Sequence, residues 1–190
     1  MQEIINKILE ESIQVNRKLK DLTREILNVA NLITEAYNQK KKVILFGNGG
    51  SAADAQHIAA EFVGKFYKNR DALPALAFHT NTSVVTATAN DFGYDKVFER
   101  QVKAFVNDGD IVIGISTSGN SENVVKALKE AKRRGAKTIG LTGQKKNLIE
   151  DIVDICLKMP SDDTPRIQEA HITVGHIICY LVEEELFKDK

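Results

Sequence analysis

Hydroxyl and amide side chains that could bind a ligand follow a short apolar run, Ile111–Ile115. They lie in the segment Ser116-Thr117-Ser118-Gly119-Asn120-Ser121. The run suits a strand buried on both faces, and helical spacing starts at Glu122. The hydroxyl groups therefore lie at a strand-to-helix turn, where unpaired N–H groups and the helix dipole favour an anion. The pattern predicts a phosphate site in this hydroxyl loop, residues 116–121. Helix capping with a polar turn is the alternative interpretation.

A second turn, Gly47-Asn48-Gly49-Gly50-Ser51, follows the first predicted strand. Its glycines and Ala52 match the dinucleotide-binding fingerprint, but the segment 79–83, after the second predicted strand, has no acidic residue to hold a ribose. The glycines would instead let backbone N–H groups approach a substrate closely. Asn48 is placed to bond a hydroxyl or carbonyl oxygen.

Candidate metal ligands lie on two predicted helices. His57 and Glu61 are four residues apart and so share one helix face, where imidazole and carboxylate together suit zinc or another divalent metal. An incidental pair on a half-exposed face is the alternative. The last predicted helix adds Gln168, Glu169, His171 and His176. Of these, Gln168 and His176 point within about 80° of each other.

The elements that must position these groups alternate between helix and strand. Residues 2–38 predict two helices that break near Lys20-Asp21. Five strand-like runs follow, at Val43–Phe46, Ala75–Phe78, Ile111–Ile115, Thr138–Leu141 and Ile152–Leu157. We expect an α/β fold with a parallel five-stranded sheet, helices on both faces and ligands at the carboxyl ends of the strands. Thr164 as N-cap and Pro165 after it begin a final helix that extends to about Phe187.

Composition narrows the class of protein. The 190 residues are 43% hydrophobic, which predicts one domain over 1–190, with helices at about 2–38 packing on a core at about 42–190. The 26 basic and 26 acidic residues balance, so we expect no nucleic-acid or membrane partner. The first residues show no basic segment followed by an apolar one, so we expect no signal peptide, and we expect no membrane span because no apolar run approaches about 18 residues. Cys156 and Cys179 fit buried thiols in a reducing compartment, and a cytoplasmic location is expected.

Together with Asn90-Asp91 and Arg166-Ile167-Gln168-Glu169, these motifs resemble the sugar isomerase (SIS) domain and, within it, the phosphoheptose isomerases. The resemblance covers essentially the whole chain. It implies a three-layer α/β/α, flavodoxin-like SIS fold with extra N-terminal helices. It also implies interconversion of D-sedoheptulose 7-phosphate and D-glycero-D-manno-heptose 7-phosphate, the first step toward nucleotide-activated heptose for bacterial lipopolysaccharide or another surface glycan. Such enzymes are homotetramers with one Zn²⁺ per subunit.

The same resemblance assigns functional positions. The implied substrate contacts are Asn48, Gly49, Gly50, Glu61, Asn90, Asp91, Ser116, Thr117, Ser118, Ser121 and Gln168. The implied zinc ligands are His57, Glu61, Gln168 and His176. Isomerisation needs a base, an acid and a group that holds the enediolate charge. We expect Glu61 to be the base and His176 to move the oxygen protons, with zinc polarising the carbonyl. A carboxylate bound to zinc is a poorer base, so the two roles of Glu61 are in tension.

The spacing of two implied ligands suggests an oligomeric site. Gln168 and His176 are about 12 Å apart along a helix, which strains their combined reach toward one ion. One of them could come from a neighbouring chain, so we predict an active site at a subunit interface. The N-terminal helices and the final helix would supply the apolar surface for this oligomer.

Other positions and functions stay open. His171 and His79 are interpreted as packed residues, while Lys65 and Pro165 depart from the arginine and the acidic residue of some relatives. Non-catalytic SIS proteins, which bind sugar phosphates or associate with the replication initiator, are the main alternative, but they typically lack the pair Glu61 and His176. An isomerase for a pentose or hexulose phosphate is a third possibility, because loop chemistry does not count substrate carbons.

Overall fold

The computed structural model describes residues 1–188 and shows a parallel five-stranded sheet between two layers of helices. The strands are β1 (Val43–Gly47), β2 (Ala75–Ala77), β3 (Ile111–Ile115), β4 (Lys137–Gly143) and β5 (Ile155–Met159). Their order is β2-β1-β3-β4-β5, and all neighbours are parallel. The order reverses between β1 and β3, so the loops after these two strands meet at the carboxyl edge. The predicted fold class is confirmed.

Seven α-helices surround the sheet in the described part of the chain. They are α1 (Gln2–Lys18), α2 (Thr23–Asn38), α3 (Gly50–Val63), α4 (Thr82–Phe92), α5 (Val97–Phe105), α6 (Glu122–Arg133) and α7 (Thr164–Leu186). A 3₁₀ turn, Leu19–Leu22, separates α1 from α2, so the predicted break near Lys20-Asp21 is confirmed. A second 3₁₀ turn, Tyr94–Lys96, precedes α5.

The sheet has an apolar core on each face. Every residue of β1 and β3 is buried, as predicted for strands covered on both sides. Along β1, Val43 and Leu45 pack with residues of α2, α3 and α7, whereas Ile44 and Phe46 pack with residues of α5 and α6. This alternation fixes the register, because a shift of one residue would exchange the two faces.

Several predicted boundaries of β1, β2, β4, β5 and α7 are wrong by one to three residues, and two of these differences have a visible cause. β5 begins at Ile155 and not at Ile152, because the N–H groups of Ile152 and Val153 both donate to the carbonyl of Ile149 in a turn. The chain joins the sheet only after Asp154, whose carboxylate accepts bonds from the N–H and hydroxyl of Thr138. The N-cap of α7 is Asp163, so the predicted cap and proline positions move by one residue.

Several further expectations concern burial. Cys156 on β5 and Cys179 on α7 are free thiols, and burial raises the pKa of each. Cys179 is fully enclosed, whereas Cys156 is only partly so. No helix within residues 1–188 has both the length and the apolar character needed to cross a membrane. Residues 189 and 190, the end of the predicted domain, lie outside the described residues, and the single-domain division stays a prediction.

Candidate active site

The hydroxyl loop follows β3 and leads into α6. The hydroxyl oxygen of Ser116 lies 2.9 Å from that of Ser121 and 3.3 Å from that of Ser118. Ser121 is the N-cap of α6, yet in the described helix its side chain forms no capping hydrogen bond. The capping interpretation is therefore wrong for this serine. Gly119 completes the turn at φ +64°, where its N–H donates to the Ser116 carbonyl.

A cavity of about 270 Å³ opens beside this loop. Its lining residues are Thr117, Ser118, Asn120, Gly143, Lys145, Lys146, Asp162, Thr164 and Ile167. Two lysines thus place positive charge in the cavity beside the hydroxyl groups. The ammonium group of Lys145 lies 4.0 Å from the carboxylate of Asp162. Hydroxyl and ammonium donors around one cavity suit a phosphate group. Sequence reasoning missed both lysines. They follow β4, and the loops after the neighbouring strands β3 and β4 lie at the same edge of the sheet, so their position could have indicated the site.

The glycine turn lies next to the hydroxyl loop across β1 and β3. Asn48 and Asn123 exchange two amide hydrogen bonds of 2.9 Å, and the Tyr94 hydroxyl donates to the Asn48 side-chain oxygen at 3.1 Å. These contacts fix the orientation of the Asn48 amide. Gly49 has a φ of +55°, a conformation that glycine adopts without strain. Neither Asn123 nor Tyr94 was identified from sequence, because each is distant from Asn48 along the chain.

The predicted ligands His57, Glu61 and His176 form one cluster, with ligand atoms that all lie within 4.8 Å of one another. Nε2 of His57 lies 3.1 Å from Oε1 of Glu61 and 3.3 Å from Nε2 of His176. A tetrahedral zinc site with bonds of about 2.0 to 2.1 Å has ligand atoms about 3.3 Å apart. The donor types and these two distances therefore fit zinc, and we refer to these three residues as the triad.

A close approach of two helices brings the triad together. A Cβ atom at Gly175 of α7 would lie 2.6 Å from the end of the Ile58 side chain on α3, so the helices approach closely where glycine leaves room for isoleucine. His57 and His176 are the chain neighbours of these two residues. Glycine within a helix costs about 1 kcal/mol relative to alanine, which the packing at this position must offset.

The structure does not place every predicted residue at the triad. The amide of Gln168 packs on Gly50, where any Cβ atom would collide with it. Gly50 is about 10 Å of helix rise from His57, so this amide and the triad occupy different turns of α3. Asn90 and Asp91 are exposed near the end of α4 and bond to each other at 2.9 Å. Asp91 lines a separate groove between α4 and α5.

A buried ion pair supports the segment after α3. Glu183 of α7 and Arg70 lie 2.7 Å apart, with both side chains 1% exposed. Burial would raise the pKa of Glu183, but hydrogen bonds from the N–H groups of Lys68, Tyr67 and Phe66 and from Arg70 outweigh it and lower this pKa to about 2. Sequence reasoning missed the pair, whose members are 113 residues apart.

Two other titratable groups have perturbed pKa values. Burial raises the pKa of Asp54, on α3, to about 6, partly opposed by His57, and one of its oxygens has no hydrogen-bond partner among residues 1–188. His171 is completely buried, and burial lowers its pKa to about 4 despite the nearby carbonyl of Thr142. His171 is therefore a neutral packed residue, as interpreted from sequence.

Comparison with known proteins identifies the family of this chain. A family model described as the SIS domain matches residues 9–143. The phosphoheptose isomerase of Clostridium acetobutylicum is 51% identical, over 100% of this chain and 98% of the relative. A solved phosphoheptose isomerase from Neisseria gonorrhoeae is 40% identical with a TM-score of 0.91, and covers 96% of this chain and 98% of its own. The structure of a phosphoheptose isomerase from Francisella tularensis has a TM-score of 0.93 at 33% identity, with coverage of 96% and 98%. The chain therefore belongs to the SIS domain family and, within it, to the phosphoheptose isomerases.

Proposed function

We propose that the protein interconverts D-sedoheptulose 7-phosphate and D-glycero-D-manno-heptose 7-phosphate. Relatives about half identical over the full length are phosphoheptose isomerases, so the chain is an aldose–ketose isomerase. The observation that carries the proposal is the triad of His57, Glu61 and His176. It lies on α3 and on α7, and the first turn of α7 shares a cavity with the hydroxyl loop. Non-catalytic SIS proteins typically lack two of its members, Glu61 and His176.

Different residues bind the phosphate, transfer the proton between the carbons and transfer the proton between the oxygens. The hydroxyl loop and the nearby lysines hold the phosphate, and Asn48 bonds a sugar oxygen. The Glu61 carboxylate takes a proton from the carbon beside the carbonyl and returns it to the neighbouring carbon. The His176 imidazole transfers the proton between the two oxygens. Zinc bound by the triad would supply positive charge that polarises the carbonyl. The fourth ligand would be Gln168 of a neighbouring subunit, since the Gln168 amide of the same chain packs on Gly50, away from the triad.

Glu61 must serve as both ligand and base in this scheme. Its contact with His57 shows that the carboxylate lies among the ligand atoms, where a metal would lower its basicity. We propose that Glu61 is free of the metal when it accepts the proton. The second oxygen of the carboxylate is the alternative acceptor.

We further propose a homotetramer with active sites at subunit interfaces. Five apolar side chains on α1 are 42% to 57% exposed, which is more apolar surface than one helix of a monomer normally leaves in water. They are Ile4, Ile5, Ile8, Leu9 and Ile13. Asn90 and Asp91 lie outside the triad of their own chain, so they are candidates to reach the site of a neighbour.

The biological setting is also a proposal. The product would feed nucleotide-activated heptose for a bacterial surface polysaccharide. A cytoplasmic location is supported by the two free cysteines, Cys156 and Cys179, because thiols persist in reducing compartments.

The decisive experiment is an isomerisation assay with purified protein and sedoheptulose 7-phosphate. We expect turnover that a chelator abolishes and added Zn²⁺ restores, with unchanged circular dichroism as the control for folding. Binding without turnover in the zinc-loaded protein would reject the enzyme in favour of a sugar-phosphate-binding SIS protein. Turnover of only a pentose or hexulose phosphate would reject the substrate and keep the reaction class.

Ser121→Ala separates a phosphate-binding serine from a capping one. The Ser121 hydroxyl does not cap α6, and its partner Ser116 keeps Ser118 as a second partner at 3.3 Å. We therefore expect the free energy of unfolding to change by less than about 0.5 kcal/mol. The KM for the sugar phosphate should rise about tenfold or more, because a hydrogen bond to a charged group contributes about 1.5 to 3 kcal/mol. Urea unfolding and steady-state kinetics measure the two effects. Loss of about 1 kcal/mol of stability with an unchanged KM would restore the capping interpretation.

A further inference from the structure

We infer that Arg70 and Glu183 are positioning residues for the triad and act through the loop of residues 64–72. The inference rests on the proposed function in one respect, since it takes the triad as the group that holds a metal. The two side chains are almost completely buried and form an ion pair of 2.7 Å. Neither residue was among the predicted site residues.

Arg70 completes the end of α3. The last carbonyl groups of a helix have no partner within the helix. One nitrogen of the Arg70 guanidinium donates to the carbonyl of Glu61 at 2.8 Å, and another donates to that of Phe62 at 2.9 Å. Its positive charge also complements the negative end of the helix dipole. Because Glu61 lies in this last turn, Arg70 holds the backbone from which the triad carboxylate projects.

Glu183 holds Arg70 and the loop on α7. Its carboxylate accepts hydrogen bonds of 2.6 to 3.0 Å from three successive N–H groups, those of residues 66, 67 and 68, and one of 2.7 Å from Arg70. Successive N–H groups of this kind form a nest for an anion. Glu183 and His176 are two turns apart on α7, so these hydrogen bonds attach the loop to the helix that carries His176.

The loop also contacts the triad directly. The ring of Phe66 lies 5.7 Å from the imidazole of His176, measured between ring centres. The loop therefore contacts both helices that carry the triad, at the backbone of Glu61 on α3 and at the ring of His176 on α7. A buried ion pair is often no more stabilising than a well-packed apolar replacement. Its place between the two ligand-bearing helices favours a role in fixing their relative geometry.

Arg70→Lys tests the inference, because lysine keeps the charge but cannot form the planar fork. Metal binding is measured by titrating the metal-free protein with Co²⁺ and recording its visible absorption. We expect Co²⁺ affinity to fall about 10- to 100-fold, with an altered absorption spectrum, in a variant that is folded by circular dichroism. The matched control is Glu184→Gln, which removes the 3.3 Å ion pair between Lys68 and Glu184 on the same loop and helix. This control should bind Co²⁺ like the wild type.

Wild-type Co²⁺ affinity and spectrum in a folded Arg70→Lys protein would overturn the inference. If Arg70→Lys does not fold, Phe66→Leu is the second test, since it keeps the backbone donor to Glu183 and removes the ring contact with His176, together with one to Tyr67. Unchanged Co²⁺ binding in Phe66→Leu would then overturn the inference, and weaker binding would support it.

Two further outcomes separate this inference from the proposed function. If the wild type binds Co²⁺ but does not isomerise sedoheptulose 7-phosphate, the proposed function fails and the metal titration still tests the positioning role. If the wild type binds no Co²⁺, NMR signals of the imidazole rings replace the titration. Shifts of His57 and His176 in Arg70→Lys, with His171 unmoved, would support the positioning role. Unmoved signals of all three would overturn it.

Discussion

Glu61→Gln is expected to lower kcat for sedoheptulose 7-phosphate isomerisation by about 10²- to 10⁴-fold, the usual contribution of a general base. The amide has the size of the carboxylate but cannot accept a proton from carbon. It should therefore also stop exchange of the substrate's carbon-bound hydrogen with deuterium from solvent, which NMR detects directly. Steady-state kinetics in the presence of saturating Zn²⁺ measures the loss of turnover. Glu35→Gln, a change of the same kind on the exposed face of α2, should leave both rates unchanged.

The exchange measurement distinguishes the base from the group that moves the oxygen protons. His176→Ala should also lose turnover, but Glu61 remains and can still remove the carbon-bound proton, so exchange should exceed turnover. Exchange that persists in Glu61→Gln would show that another group is the base. Glu61 would then be a ligand alone, which would also remove the tension between its two roles.

The second large effect concerns the buried ion pair. Glu183→Gln should lower the free energy of unfolding at neutral pH by about 3 to 5 kcal/mol, because it leaves the Arg70 charge buried without its partner. The new amide group would also point donors at N–H groups that are donors themselves. Urea unfolding at a fixed protein concentration measures the difference, and Glu184→Gln, half-exposed on the same helix, is the matched control.

The pH dependence of this difference follows from the pKa of Glu183. The folded value of about 2 lies below the unfolded value of about 4.3, so the carboxylate stabilises the folded state above the unfolded pKa. That contribution is lost as the pH falls from about 4 through 2. The unfolding free energies of wild type and Glu183→Gln should therefore converge at acidic pH. Parallel curves down to about pH 3 would contradict the strong hydrogen bonding of this carboxylate.

Local patterns predicted most of the fold. The strand runs around Val43 and Ile111 were recognised because continuous apolar segments between helices are typical of buried parallel strands. The start of β5 was wrong because Ile152 and Val153 are as apolar as the strand that follows. The chain joins the sheet only after Asp154, whose carboxylate bonds to Thr138 on β4. A contact with another strand cannot be predicted from the local sequence.

Predictability of the site depended on sequence separation. His57 and Glu61 were found because they are one helical turn apart, and His176 was added by family resemblance. The pairing of Asn48 with Asn123 joins residues 75 positions apart, and that of Arg70 with Glu183 joins residues 113 apart. A single asparagine or arginine in a polar segment has no local feature that indicates its partner. Such contacts arise only when the order of the strands brings two distant segments together.

The contact between Gly175 and Ile58 makes the distance between two helix backbones the quantity that sets the separation of His57 from His176. Selection can therefore change the spacing of the two imidazoles through residues that never touch an ion. A bulkier residue at position 175 would push the Ile58 side chain or the whole helix aside, so we expect it to alter metal binding without changing any ligand.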